Sequence, residues 1–470
     1  MKQTRTGWLK PSIAAVIFSL FFAYSCDKED EVIKTYQVKV GLTYPEGYDP
    51  AADIKVRLRN TLNGDIGEAS TNASGEAVFT VVAGTYEATA SEERQDDYQK
   101  YVFNGLAGNI VVTDAWTGEN AVSLTLTLTI MSQPADGDLS PKGRLVIKEL
   151  YVGGCQKDDG SGSHQRDPYI VLYNNSGQDA SIKNLTLGSS YQWNAHATSY
   201  FTVNGELIYA NEDWIQVAMG AWRITKDTVI APGEQIVIAM NLAVDHTQTY
   251  SKSVNLANPK YYVAYDPEEG YTHASYHAAP SELIPTSQYL DGYRFPNATG
   301  NAWTFSVNSP AFFFFMPELE DAEINTYYYN VDNLVYHSAT GAVGTQAALK
   351  IPRSWVVDGI EVFQSDRIAD SQKRLTPDID AGFIPLKNAE GHTLYRNVDK
   401  AATEAILGNA GKIVYNYDLG TNTQYPDFGT TDPSGIDAEA SIKKGARIIY
   451  KDTNNATNDF HQRQHASLRD

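Results

Sequence analysis

The densest group of potential metal-binding side chains lies near the end of the chain. Five Asp and Asn residues fall between positions 452 and 459, namely Asp452, Asn454, Asn455, Asn458 and Asp459. Hard cations such as Ca²⁺ take about six to eight oxygen ligands, which such side chains and backbone carbonyls can supply. The segment lacks the central glycine and final glutamate of an EF-hand, and Asp and Asn also favour turns through local hydrogen bonds. Two hypotheses therefore stay open, a Ca²⁺ site and a structural loop.

Two histidine pairs have a spacing of four residues, His273 with His277 and His461 with His465. On a helix this spacing places both imidazoles on one face, where a transition metal can bridge them. Residues 271–279 show no helical periodicity, and the second pair lies near the chain end. Nucleophile-elbow, phosphate-loop, His-Glu-x-x-His and Cys-x-x-Cys signatures are missing from the sequence. We therefore name no catalytic residue and expect a protein that is not an enzyme.

The first 25 residues have the layout of a secretory signal peptide. Three basic residues occur in the first ten positions, and an apolar run follows at 13–23. That run is shorter than the roughly 20 residues that a spanning helix needs. It ends in Ala23-Tyr24-Ser25-Cys26. The small residues Ala23 and Ser25 before the cysteine resemble a bacterial lipobox, although Tyr24 is bulkier than the usual residue at its position. The resemblance implies cleavage before Cys26 and a diacylglycerol on its sulfur, so that lipid anchors the protein to a membrane.

Residues 26–35 form the expected lipid tether. Lys28, Glu29 and Asp30 follow the cysteine and resemble the Lys-acid-acid export signal of surface lipoproteins in the Bacteroidota. The resemblance implies an outer-membrane lipoprotein that faces the cell exterior. The alternative is a merely hydrophilic tether, because acidic segments are often solvated linkers.

Composition limits the partners. The chain of 470 residues has 37 Lys and Arg against 57 Asp and Glu, a net charge of −20. This charge argues against nucleic acid and against anionic lipid as a docking surface, since both require clustered basic residues. Only two cysteines occur. With Cys26 assigned to lipid, Cys155 has no partner in the chain, and we expect it to be a buried thiol.

Residues 36–130 predict a small β-sandwich, because apolar and polar residues alternate along several short runs separated by turn signals. Thr71-Asn72-Ala73-Ser74-Gly75-Glu76-Ala77-Val78-Phe79 and the later Gly84-Thr85-Tyr86 resemble transthyretin-like, carboxypeptidase-regulatory-like domains. In that family the module is a spacer or docking domain. Residues 131–143, polar and rich in Pro and Gly, predict a linker between two independently folded bodies.

Residues 144–470 predict a second, larger all-β unit, because β-branched and aromatic runs outnumber helical patterns. This unit resembles the lamin-tail domain, an immunoglobulin-like sandwich. The likeness lies in Val146-Ile147-Lys148-Glu149, Tyr169–Asn174, Ile230–Glu234 and Val357-Asp358. Residues 240–350 form an insertion between the matching strands. The whole arrangement also resembles an uncharacterised family of Bacteroidota surface lipoproteins.

The insertion is rich in aromatic residues and is the expected recognition surface. Tyrosine and tryptophan suit binding because they are rigid and amphipathic. The predicted surface comprises Tyr265, Tyr271, Tyr276, Tyr289, Tyr293 and Trp303. The alternative is that these aromatic rings pack as a third layer and bury themselves. The run Phe312–Phe315 is expected to be a buried strand.

These patterns predict a non-enzymatic ligand-binding or accessory protein of an outer-membrane uptake system. A membrane reached through the lipid, an outer-membrane transporter and a small ligand or glycan are the expected partners. A secreted hydrolase of glycan or peptide is one alternative, and it requires a pocket with converging carboxylates. A structural adhesin is the other.

Anchoring and surface exposure can be tested separately in intact cells. Cys26→Ala should release the protein from membranes, because the thiol that carries the lipid is lost. Replacing Lys28, Glu29 and Asp30 together by Ala should leave it anchored but shielded from added protease. Glu282→Ala, which changes the net charge by the same single unit, serves as the control. Unchanged protease access in the triple variant would remove the argument for an export signal.

Overall fold

The computed structural model describes residues 34–95, 100–117, 121–131, 139–203, 205–269, 271–295, 301–336, 347–417, 419–420 and 431–470. Cys26 and the Lys28-Glu29-Asp30 segment lie outside these residues, as do residues 132–138 of the predicted linker. Thr35–Asp470 belong to one compact unit. Within the described ranges, no helix has the length and apolar composition to cross a bilayer.

Strands dominate the described residues. The first seven are β1 (Thr35–Thr43), β2 (Lys55–Asn60), β3 (Ile66–Ser70), β4 (Glu76–Val82), β5 (Gly84–Gln95), β6 (Lys100–Val112) and β7 (Ala121–Met131). The next are β8 (Leu145–Tyr151), β9 (Cys155–Gln156), β10 (Ser163–His164), β11 (Tyr169–Asn174), β12 (Ala180–Ser181), β13 (Thr186–Ser189), β14 (Thr202–Val203), β15 (Glu206–Leu207), β16 (Trp214–Ala218), β17 (Gly220–Arg223), β18 (Val229–Ile230) and β19 (Gln235–Ala239). The last are β20 (Tyr262–Val263), β21 (Asp291–Arg294), β22 (Ala311–Phe315), β23 (Leu334–Tyr336), β24 (Ala347–Pro352), β25 (Val356–Gln364), β26 (Ile384–Leu386), β27 (Thr393–Arg396) and β28 (Phe460–Arg463).

The α-helices of the described residues are short. They are α1 (Asp321–Tyr329), α2 (Pro377–Asp380), α3 (Lys400–Ala405), α4 (Ala438–Lys443) and α5 (Ala456–Asp459). Single 3₁₀ turns occur at His246–Gln248, Thr286–Gln288, Val331–Asn333, Arg353–Trp355, Leu407–Asn409 and Ser467–Arg469. The prediction of an all-β chain is confirmed.

The N-terminal strands form one sheet in the order β3-β2-β5-β6-β7-β1-β4. Residues on β1 alternate between buried and solvated, as the sequence pattern predicts, and Val38 and Val40 are fully buried. The sheet curls until its two edge strands are in contact: Phe79 of β4 lies against Gly67 of β3. One core therefore fills the inside of the sheet.

The N-terminal sheet contacts the rest of the compact unit directly. Arg59 of β2 donates to the Ile368 carbonyl at 2.5 Å, and its guanidinium lies 5.4 Å from the Phe383 ring centroid. Asn104 of β6 donates to the Thr453 carbonyl at 2.8 Å. Arg59 and Asn104 are both buried. Independent folding of the two predicted domains stays a prediction.

Three larger sheets build the described C-terminal part, together with the two-stranded ribbons β9–β10, β12–β18 and β14–β15. The front sheet has the order β20-β19-β11-β8-β27-β28, the middle sheet β21-β17-β13-β22-β25-β26, and the rear sheet β16-β24-β23. One apolar core takes side chains from the front and middle sheets, and a second takes side chains from the middle and rear sheets. The middle sheet is therefore buried on both faces, which explains its nearly continuous apolar strands.

The phenylalanine run of β22 shows this double burial most clearly. Phe312 and Phe314 enter the core shared with the front sheet, while Phe313 and Phe315 enter the core shared with the rear sheet. β22 pairs with β13 on one side and β25 on the other. The prediction of a buried strand is confirmed. Residues 240–350, predicted as an insertion, contribute to the interior of the fold, because β22 and the first part of β24 lie in that segment and are inner strands of two sheets.

A buried ion pair joins the front and middle sheets. Arg396 of β27 donates to the carboxylate of Asp358 on β25, and its Nε donates to the Ile147 carbonyl of β8 at 2.7 Å. Asp358 in turn accepts from the Ile147 amide at 2.6 Å. Arg396 is 1% exposed and Asp358 is 4% exposed. Water therefore cannot replace either partner.

Removing this arginine should destabilise the protein strongly. Arg396→Met should lower the free energy of unfolding by about 3–5 kcal/mol, because it leaves buried carboxylates without a cation. Urea denaturation measures the change. Arg367→Met is the matched control, since Arg367 pairs with Asp370 at the exposed surface and should cost less than about 1 kcal/mol. Equal losses in the two variants would contradict the role of the buried pair.

Candidate ligand-binding site

A cavity of about 240 Å³ opens where several loops meet at the ends of the front and middle sheets. Gln165 and Arg166 lie between β10 and β11, and Asn241 lies two residues after β19. Tyr276 comes from a turn, and Phe305 and Val307 from the loop that leads into β22; these residues complete the lining. We call this cavity the Arg166 pocket.

Backbone and side-chain hydrogen bonds fix the loop that carries Arg166. The Met240 amide donates to the Pro168 carbonyl at 2.9 Å, which holds the start of β11 against the end of β19. Gln165 Nε2 donates to the Gly153 carbonyl at 3.0 Å and to Asn388 Oδ1 at 2.9 Å. The position of the Gln165 amide is therefore set by the surrounding chain.

Ser306 fixes the opposite wall. Its Oγ accepts from the amides of Asn308 at 3.1 Å and Ser309 at 2.8 Å, and it donates to Asn194 Oδ1 at 2.5 Å. The Trp303 amide donates to His277 Nε2 at 3.0 Å. The bond between Trp303 and His277 connects the turn of Tyr276 to the loop of Phe305 and Val307, so these two parts of the lining are held in fixed positions relative to each other.

The charge in the pocket comes from Arg166. Its guanidinium lies over the Tyr276 ring, 3.9 Å from the centroid. Among the described residues, Arg166 makes this ring contact, and its charge also acts on His164. No described carboxylate forms an ion pair with it. The N–H groups of the guanidinium edge therefore stay available to a ligand.

The second polar feature is Asn241. Its side chain is 3% exposed, and its Oδ1 accepts no hydrogen bond within the described part of the chain. A buried acceptor without a donor is unfavourable, by about 1–3 kcal/mol. A ligand with an N–H or O–H group would remove that cost.

An aromatic cluster lies behind the pocket. Trp303 contacts Phe305 edge-on, with ring centroids 5.0 Å apart, and Trp222 lies 6.0 Å from Trp303. Tyr271 is 5.1 Å from Trp222. Trp222, Trp303 and Tyr271 are at most 1% exposed. The cluster therefore supports the pocket wall without contacting solvent.

The six aromatic residues predicted to form a binding surface differ in how far they are buried. Tyr271, Tyr293 and Trp303 are 1%, 3% and 0% exposed. The prediction that they form a binding surface is corrected, because Tyr271 and Trp303 pack into the core between the front and middle sheets and Tyr293 into the core between the middle and rear sheets. Tyr265 and Tyr289 pair with each other at 5.4 Å, away from the lining of the pocket. Of the six, Tyr276 lines the Arg166 pocket.

Residues 231–434 match the family described as "Protein of unknown function (DUF4876)". The matched segment contains Asn241, Tyr276, Phe305 and Val307, whereas Gln165 and Arg166 precede it. The chain is also similar to the crystal structure of a DUF4876 family protein from Bacteroides thetaiotaomicron. That similarity has a TM-score of 0.48 and 17% sequence identity, over 90% of this chain and 94% of the other. No curated protein matches the chain.

The Asp- and Asn-rich segment near the chain end turns its polar groups inward. Asp459 accepts from the amide and the hydroxyl of Thr453, both at 2.8 Å. Arg396 lies 3.3 Å from Asp452 and 3.6 Å from Asp459, so a guanidinium already occupies the position of a cation. The Asn454 side chain donates to the Asp378 carbonyl, and Asn455 Oδ1 accepts from the Thr457 amide. The backbone carbonyl of Asn458 accepts from the Asn397 side chain.

This arrangement favours the structural loop over the Ca²⁺ site. Within the described residues, no group of three or more His, Cys, Asp or Glu side chains has a geometry that could hold a metal ion. Burial and Arg396 thus explain the acidic cluster without a bound metal.

In each of the two predicted histidine pairs, the two imidazoles have separate hydrogen-bond partners. His461 bonds to Asn397 and Tyr417, whereas His465 bonds to Asp470. His277 is buried behind the pocket, and His273 is exposed.

The structure brings together the imidazoles of another histidine pair, which the sequence spacing did not indicate. His164 Nε2 lies 3.1 Å from His246 Nδ1, although 82 positions separate them. His246 Nε2 donates to the Leu242 carbonyl at 2.8 Å, because a carbonyl oxygen can only accept. Cys155 pairs across the β9–β10 ribbon with His164. Cys155 is buried as the sequence predicts, and burial raises its thiol pKa to about 11.

Three buried histidines make stability depend on pH. Burial lowers the pKa of His164 and His277 to about 4 and that of His461 to about 3, against an ordinary value of 6.5. Below about pH 6.5 the unfolded chain takes up protons that the folded chain does not. The contribution of these histidines to the free energy of unfolding is therefore fully present above pH 6.5. It is lost as the pH drops toward 4, by about 1.4 kcal/mol per pH unit for each histidine.

Urea denaturation of wild type and His461→Gln between pH 8 and pH 4.5 tests this dependence. The variant lacks one titrating ring, so its stability should decline less steeply below pH 6.5. Measurements at pH 8 give the direct cost of the substitution. Parallel declines in the two proteins would show that His461 is not one of the groups responsible.

Proposed function

We propose that this protein is a lipid-anchored outer-membrane protein that faces the cell exterior and binds a small ligand in the Arg166 pocket. It acts as an accessory component of an outer-membrane uptake system, and its lipid anchor is attached to the sulfur of Cys26. The observation that carries the proposal is the pocket itself. It combines a guanidinium that has no ion-pair partner with a buried amide oxygen that has no donor, as far as the described residues extend.

Rigidity supports binding as the role of the pocket. Gln165 is held by two hydrogen bonds, and Ser306 holds the loop of Phe305 and Val307. A preformed site loses little conformational freedom when a ligand enters, so more of the contact energy appears as affinity. The aromatic cluster behind Phe305 adds to this rigidity.

The lining of the pocket also bears on the hydrolase alternative. Hydrolysis of a glycosidic bond generally uses two carboxyl groups, one as acid and one as base or nucleophile. The lining residues that the structure describes are Gln165, Arg166, Asn241, Tyr276, Phe305 and Val307, and none is a carboxylate. This pocket therefore suits capture of a molecule better than its cleavage.

Native mass spectrometry of the lipoprotein, purified in mild detergent from its own outer membranes, tests the binding function. We expect the wild-type protein to retain a small molecule. Val307→Trp should lose it, because the larger side chain fills the cavity. Val78→Trp, at an exposed position on β4, is the matched control and should retain the ligand. If both variants retain the same mass, the ligand lies elsewhere and the proposal is wrong.

A further inference from the structure

The geometry of the Arg166 pocket points to a ligand class. We infer that the pocket takes a small carboxylate that also carries hydroxyl or ammonium hydrogen-bond donors. This inference rests on the binding function proposed above and names the chemistry of the ligand.

The carboxylate follows from Arg166. A guanidinium presents parallel N–H groups in a planar fork that matches the two oxygens of a carboxylate. Tyr276 covers one face of the guanidinium at 3.9 Å, and contact with the ring face leaves the N–H groups in the guanidinium plane unused. Because no described carboxylate pairs with Arg166, a ligand can supply the missing anion.

The hydrogen-bond donors inferred for the ligand follow from the side-chain amides of Asn241 and Gln165. Asn241 Oδ1 is buried and accepts no bond from the described residues, so it requires an N–H or O–H group. Gln165 gives its Nε2 to the Gly153 carbonyl and to Asn388, which leaves its Oε1 as the group that can accept from a ligand. A ligand with a carboxylate alone would leave the buried Asn241 Oδ1 unsatisfied.

Size and shape narrow the class further. A cavity of about 240 Å³ lies below the roughly 300–1,000 Å³ of pockets for drug-sized ligands. Phe305 and Val307 offer an apolar wall opposite the polar groups. A single sugar acid, with hydroxyl groups and an apolar ring face, meets these conditions. A free amino acid, with an ammonium group and an apolar side chain, meets them as well.

Isothermal titration calorimetry on the full lipoprotein in detergent distinguishes the two sources. The probes are galacturonate with its neutral counterpart galactose, and leucine with leucinamide, which lacks the carboxylate. One carboxylate probe should bind at least about tenfold more tightly than its neutral counterpart, since an ionic hydrogen-bonded pair is replaced by a neutral contact. Which pair shows the difference identifies a sugar acid or an amino acid as the source.

Variants assign the effect to the pocket. Arg166→Gln should weaken binding of the carboxylate probe about tenfold or more, to the level of its neutral counterpart, and Arg166→Lys should restore part of the loss. Asn241→Leu should weaken the carboxylate probe and its counterpart together. Arg57→Gln, which alters an arginine on β2 paired with Glu68, is the control and should bind like wild type.

The possible results separate failure of the ligand class from failure of the binding function. If the neutral probe binds as tightly as the acid, and Val307→Trp abolishes both, the pocket binds ligands but the inferred carboxylate is wrong. If none of the four probes binds the wild-type protein, the inferred class is also wrong. In that case the binding function still stands if native mass spectrometry shows a retained molecule that Val307→Trp removes.

Discussion

The packing of the front sheet on the middle sheet depends on Arg396, one of several buried cations in the described part of the chain. Arg396 bonds to Asp358 on the middle sheet and to Ile147 on the front sheet, and it lies within 3.6 Å of Asp459 near the chain end. Each of these groups is buried, so none can exchange its partner for water without the sheets separating. A guanidinium suits this position because it makes several directed bonds in one plane, whereas an apolar residue of equal volume would leave the carboxylates unpaired.

The middle sheet imposes the second constraint. Its strands are covered on both faces, so the alternate side chains of β22 must fill two separate cores. Loops that emerge from such a rigid sheet can be held in one conformation, as the bonds of Ser306 show. The Arg166 pocket forms where these loops meet the ends of β11 and β19, which explains how residues far apart in sequence converge there.

The same packing explains why aromatic content is an incomplete guide to a binding surface. Tyr271 and Trp303 have the residue types that suit recognition, yet they support the pocket from behind. Tyr276 is half-buried and contacts Arg166 because it lies on a turn outside the sheet. Residue type alone does not distinguish a ring that binds from a ring that packs.

The sequence by itself determined the all-β class, the alternating strands of the N-terminal sheet and the burial of the phenylalanine run, because these follow from local periodicity. Only the tertiary structure decided that β22 is central, that Arg396 neutralises the acidic segment, and that Arg166, Asn241 and Tyr276 line one pocket. Those contacts join positions tens to hundreds of residues apart, and they depend on which strands pair. Strand pairing is a property of the whole fold, so no local pattern along the chain records it.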